Sequence, residues 1–210
     1  MKLKTYNRKI DKFLSDLDYI CQENAVQIIF TNKNYVKSGR IKSSGYFDED
    51  KRILACALKT SNDTWLTTLI HESCHLDQWR EKDDAWLKFC ESDADKEDLL
   101  DKWLSKKVEL SNDRLNKMIQ VTKEMEWDCE KRAVEKIKKY DLKIDVNYYI
   151  KQAIVYVMFY DFVGKTRKWY KPNKSPCLFD NILALISDNY DLNRLPELTT
   201  EIEKLMYQCI

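Results

Sequence analysis

The chain has little glycine and little proline. Three of each, six in 210 residues, stand against roughly 25 expected for the two together at ordinary usage. So few turn formers exclude a β-sandwich or barrel, whose many short strands need them. No apolar run approaches the roughly 18 residues of a membrane span. Residues 1–9 are basic and polar, and the amphipathic Ile10, Phe13, Leu14 and Leu17 follow, where a signal peptide would be continuously apolar. The seven cysteines (21, 56, 74, 90, 129, 177 and 209) are scattered and odd in number, with no CxxC pair. They read as buried, reduced thiols of a cytoplasmic protein, not as a disulfide framework or a thiolate metal site. Charge bias is absent too: 36 basic against 35 acidic residues give +1, which argues against bulk electrostatic binding of nucleic acid.

What is present points to helices around a real core. Hydrophobic residues make up 44% and charged residues 34%, the latter above the usual ~25%, as solvent-facing helices require. The expected class is α+β, mainly α. Residues 4–20 carry a helical stripe, and residues 25–30 read as a strand. Residues 45–58 read as a hairpin turning at 48–51. Ser61, Asn62 and Asp63 offer capping side chains to a helix that should reach about Arg80. Helical text continues over 83–104, 111–140 and 146–163, the last strongly apolar, with Gly164 as its C-cap. A basic loop with interleaved aromatics covers 165–176, and short helices should close the chain near 179–187 and 197–208. With no repeat and no linker, residues 1–210 read as a single domain.

Only two histidines occur, His71 and His75, four residues apart within a helical segment. Four residues turn about 400°, so both imidazoles leave the same helical face and can share one metal ion. Glu72 stands beside the first, where its carboxylate can act as a base toward water. Two histidines placed at random would fall four apart in roughly 1% of cases, and less often with glutamate after the first. A hairpin just upstream would lay an edge strand along the metal cleft, where an extended substrate could pair.

A third ligand cannot be histidine, because none remains, and this removes every three-histidine design. Cysteine would be unusual in an open hydrolytic site, which leaves a carboxylate from another helix. The strongest stretch is Glu126-Trp127-Asp128-Cys129-Glu130-Lys131-Arg132-Ala133. Together with His71-Glu72-Ser73-Cys74-His75 it resembles the HExxH zinc metallopeptidases of the gluzincin type. There is distant likeness to ImmA/IrrE-like proteins and to phage metallopeptidase-like proteins. In that pattern a downstream helix carries Glu-x-x-Ala, matched by Glu130 and Ala133, with Glu126 one turn earlier as the other candidate. The resemblance spans about residues 45–140 and implies a zincin-like fold, with a small N-terminal sheet packed on the active-site helix and a helical bundle after it. It implies Zn2+ held by His71, His75 and Glu130, with Glu72 as general base. Two departures stand out. His75 and Glu130 are 55 positions apart, so residues 81–118 are expected to be a helical insertion. Val134 replaces the acidic residue that would orient a histidine, so that support must come from elsewhere.

The expected activity is zinc-dependent hydrolysis of peptide bonds in a peptide or protein substrate, in the cytoplasm. A tyrosine among Tyr148, Tyr149, Tyr156 and Tyr160, or Arg167, would have to assist the oxyanion. The rival reading is a catalytically silent zinc-binding regulatory or interaction module. A third makes zinc incidental and uses the basic loop for nucleic acid.

Overall fold

The computed structural model describes residues 3, 5, 7–38, 41–60, 64–92 and 99–210. It is mixed α+β and mainly helical, with a small N-terminal sheet, as the sequence suggested. The chain divides into two compact units: Met1–Asp83 with Arg132–Ile144, and Asp84–Lys131 with Asp145–Ile210.

The first unit opens with α1 (Arg8–Glu23). Asn7 caps it by accepting from the N–H groups of Lys9 and Ile10, and Phe13, Leu17 and Cys21 bury one side at four-residue steps. β1 (Gln27–Thr31), β2 (Val36–Ser38), β3 (Ile41–Ser43), β4 (Gly45–Asp48) and β5 (Ile53–Ala57) follow. β4 and β5 are the expected hairpin, antiparallel with Phe47 opposite Leu54. β1 lies parallel to β5, giving the order β1-β5-β4. The β2–β3 hairpin was not foreseen, because three-residue strands rich in lysine and serine leave too short a pattern to read.

α2 (Trp65–Glu81) packs on β4 and β5. Phe47 meets Trp79 with ring centroids 5.7 Å apart. The capping expected of Ser61, Asn62 and Asp63 lies outside the described residues. The back of α2 is held by the end of α5 (Asn112–Lys139), whose last part belongs to this unit. Lys136 Nζ donates to Ser73 Oγ and pairs with Asp77, both at 2.7 Å, and Arg132 pairs with Glu81 and Asp83.

The helices stop without glycine. α1, α2 and α5 each end with a residue in the left-handed region, Ala25 (φ 54), Lys82 (φ 53) and Asp141 (φ 48). In each, the next N–H reaches back five residues: Val26 to Cys21, Asp83 to Gln78 and Leu142 to Ile137. That is the Schellman closure that glycine usually makes. Scarce glycine thus excluded less turning than composition implied.

The second unit contains α3 (Asp84–Glu91), α4 (Leu99–Leu104), the first part of α5, α6 (Val146–Thr166), α7 (Asp180–Leu183) and α8 (Thr200–Met206). The segment expected as an insertion therefore supplies α3, α4 and the start of α5. α6 is capped by Asp145 and buries ten side chains from Tyr149 to Val163, as its apolar text required. Gly164 does not end it. The helix runs on to Thr166, and Arg167 takes the left-handed position. Gly164 instead serves close approach, since a Cβ there would stand 3.3 Å from Ile119 Cγ1.

The basic loop is anchored inside this unit. Trp169 and Tyr170 pack on Phe159 at 5.2 and 5.3 Å. Lys165 pairs with Glu203, Arg167 with Glu109, and Lys171 donates to the carbonyl of Ile210. Among the described residues no helix is long and apolar enough to cross a membrane.

Candidate metal centre

α2 carries the motif through its middle, so backbone hydrogen bonds hold the main chain of the whole motif in helix. His71 and His75 are half-buried, while Ser73 and Cys74 between them are fully buried. The two imidazoles stand at 89° with centroids 4.7 Å apart. Their Nε2 atoms face each other at 3.1 Å. Two nitrogens bound at ~2.0–2.1 Å to a tetrahedral centre would keep about 3.3 Å between them. The spacing fits a shared ion closely.

The tautomer that leaves Nε2 of His75 available is set by Gln78. Nδ1 of His75 donates to Gln78 Oε1 at 2.9 Å, and Gln78 is fully buried. This supplies the orientation that Val134 could not. Sequence reading missed it, although a glutamine three residues past a histidine on one helix is the spacing at which side chains meet.

Glu72 projects toward the sheet. A Cβ on Gly45 would lie 3.0 Å from Glu72 Cγ, 3.0 Å from the carbonyl oxygen of Ala55 and 2.6 Å from Thr68 Cγ2. Glycine at this point of β4 is therefore what lets the strand lie against α2 beside the carboxylate. The Cys56 thiol, opposite Gly45 in the register, is pushed up to about 12 by burial first and by the charge of Glu72 second. Cys56 is thus a neutral packing residue.

On α5, Glu126 and Glu130 are both buried, at 7% and 6% exposure, whereas Asp128 is half-exposed and 3.7 Å from Lys131. Glu130 Oε2 accepts from the hydroxyl of Tyr149 at 2.6 Å. Glu126 Oε1 accepts from Tyr156 at 3.2 Å and Tyr160 at 3.1 Å. Burial, then the charge of Glu126, raises both phenols well above their ordinary value. Three of the tyrosines considered for the oxyanion are thus hydrogen-bonded to these glutamates. Arg167 is held by Glu109 and by the carbonyls of Trp103 and Val108.

His71, His75 and Cys129 form a group that could hold a metal ion, with one ligand atom of each within 4.8 Å of the others. Glu130 is not part of that group. The sequence reading had set the cysteines aside as metal ligands; a buried thiol one residue before Glu130 carried no spacing signal, since no second cysteine stands near it. No family model, curated protein or solved structure matches the chain.

Proposed function

We propose that this chain is a cytoplasmic, zincin-like zinc peptidase acting on peptide or protein substrates, with His71, His75 and Glu130 as ligands and Glu72 as general base. The observation that carries the reading is the 3.1 Å approach of the two Nε2 atoms, with Gln78 fixing the donor tautomer of His75. Zinc, when bound, supplies a Lewis acid that lowers the pKa of water and polarises a carbonyl. Glu72 would take the proton of the attacking water and return it to the leaving nitrogen. β4, at one end of the strand order, would offer its outer backbone to an extended substrate. Seven thiols with no disulfide among them suit a reducing compartment.

Glu72→Gln tests this directly. The variant should keep zinc and fold while hydrolysis of any peptide found in a cleavage library falls by ~10²–10⁴. A variant cleaving as fast as wild type would refute the mechanism. One observation favours the silent module instead: Cys129 in the metal group. Thiolate donors are common where zinc is structural and its coordination closed. Wild type that holds zinc and cleaves nothing would establish that reading.

A further inference from the structure

The chain is charge-balanced as a whole but not locally. Residues 24–47 contain Lys33, Lys37, Arg40 and Lys42 and no acidic residue, leaving 32 basic residues against all 35 acidic ones elsewhere. Strand periodicity divides the sheet into two faces. Gly45 and Phe47 lie against α2, so Tyr46 and its neighbours opposite, Ala55 and then Ile29, point the other way. On that second face is a cleft of ≈ 380 Å³. Ile29, Val36 and Ala55 form an apolar floor, Tyr35 and Tyr46 add rings, and Lys33 and Lys37 reach its rim. Lys42 Nζ sits 4.7 Å from the centroid of Tyr35.

Some lysines elsewhere are held by carboxylates, as Lys51 by Asp48 and Lys123 by Asp161. Among the described residues, Lys33 and Lys37 form no ion pair, although both are exposed at the cleft. An apolar floor under unneutralised ammonium groups suits a ligand with a flat or aliphatic body and a negative end. The volume is near the lower end of the ~300–1,000 Å³ of small-molecule sites, which favours a small ligand over a polymer. We propose that this cleft binds a small organic anion, its body on Ile29, Val36 and Ala55 and its carboxylate or phosphate between Lys33 and Lys37. The site lies on the sheet face away from Glu72 and does not depend on the metal.

The test is amide-shift titration of isotopically labelled protein with 2-naphthoate and, separately, 2-naphthyl phosphate, with 2-naphthol as the neutral control. At least one anion should bind with shifts centred on Ile29, Val36, Tyr46 and Ala55, and more than tenfold tighter than 2-naphthol; the tighter anion identifies the headgroup. The double variant Lys33→Glu/Lys37→Glu, which alters exposed side chains only, should weaken that binding at least tenfold, while Lys168→Glu in the second unit should not. The proposal is overturned if neither anion shifts these amides, if 2-naphthol binds as tightly, or if the double reversal leaves affinity unchanged.

Discussion

Adding one methyl group to Gly45 should disturb both stability and chemistry. The Cβ would stand 2.6 Å from Thr68 Cγ2 and 3.0 Å from Glu72 Cγ, where carbons prefer about 3.5–4.0 Å. The overlap is thus about 1 Å with a β-branched side chain that has little rotamer freedom, and the third neighbour, the Ala55 carbonyl at 3.0 Å, is sheet backbone. Overpacking of this kind costs ~1–3 kcal/mol, and the stiffer unfolded chain returns ~0.4–1 kcal/mol. Net destabilisation of about 1–2 kcal/mol should lower Tm by roughly 2–8 °C in a chain of this size. Relief by moving Glu72 should cost ~10² in hydrolysis, the effect expected of a misplacement near 1 Å, with zinc retained because neither histidine is touched. Calorimetry, zinc analysis and a quenched-fluorescent peptide assay on Gly45→Ala read all three. Gly164→Ala is the control: its 3.3 Å neighbour is a single side chain, and helix propensity favours alanine by ~0.5–1 kcal/mol, so Tm should hold or rise. If Gly45→Ala melts and cleaves like wild type, β4 does not press on Glu72 as described.

Two further outcomes follow from the same geometry. Gln78→Leu removes the acceptor for His75 Nδ1 and should weaken zinc affinity ~10–100-fold in chelator competition, whereas Gln78→Glu should not; equal affinity in all three proteins would show that the contact does not orient the ring. His71→Ala and His75→Ala should each lose the metal. Glu130→Gln should then lose it while Cys129→Ser and Glu126→Gln keep it, and the reverse order for Cys129 and Glu130 would move the assignment to a thiolate site and to the silent module.

The helices and the β4–β5 hairpin were legible because each is specified locally. Phe13, Leu17 and Cys21 recur at one helical period, and the apolar run of α6 has no other soluble home than a core. What escaped was non-local or unconventional. The parallel pairing of β1 with β5 joins segments across an intervening hairpin, and no residue in either strand announces its partner. Left-handed caps made by Ala25, Lys82 and Asp141 bypass the glycine signal on which boundary reading depends, and Gly164, the one glycine near a helix end, proved to be a packing residue.

The candidate site divides along the same line. His71, Glu72 and His75 are set by spacing on one helix, and that spacing alone brought two Nε2 atoms to 3.1 Å. The candidates for a third donor stand on α5, where Glu126, Cys129 and Glu130 fall within about 100° of arc, so helical periodicity cannot choose among them. Burial does not choose either, since all three are buried. Chemistry does. A carboxylate is ordinarily ionised at neutral pH without a metal, whereas a thiol ordinarily keeps its proton there until a metal displaces it. A site completed by Glu130 should therefore release little proton on binding zinc, and one completed by Cys129 should release about one more per ion. That single stoichiometry separates a centre built for hydrolysis from one built to hold its ion.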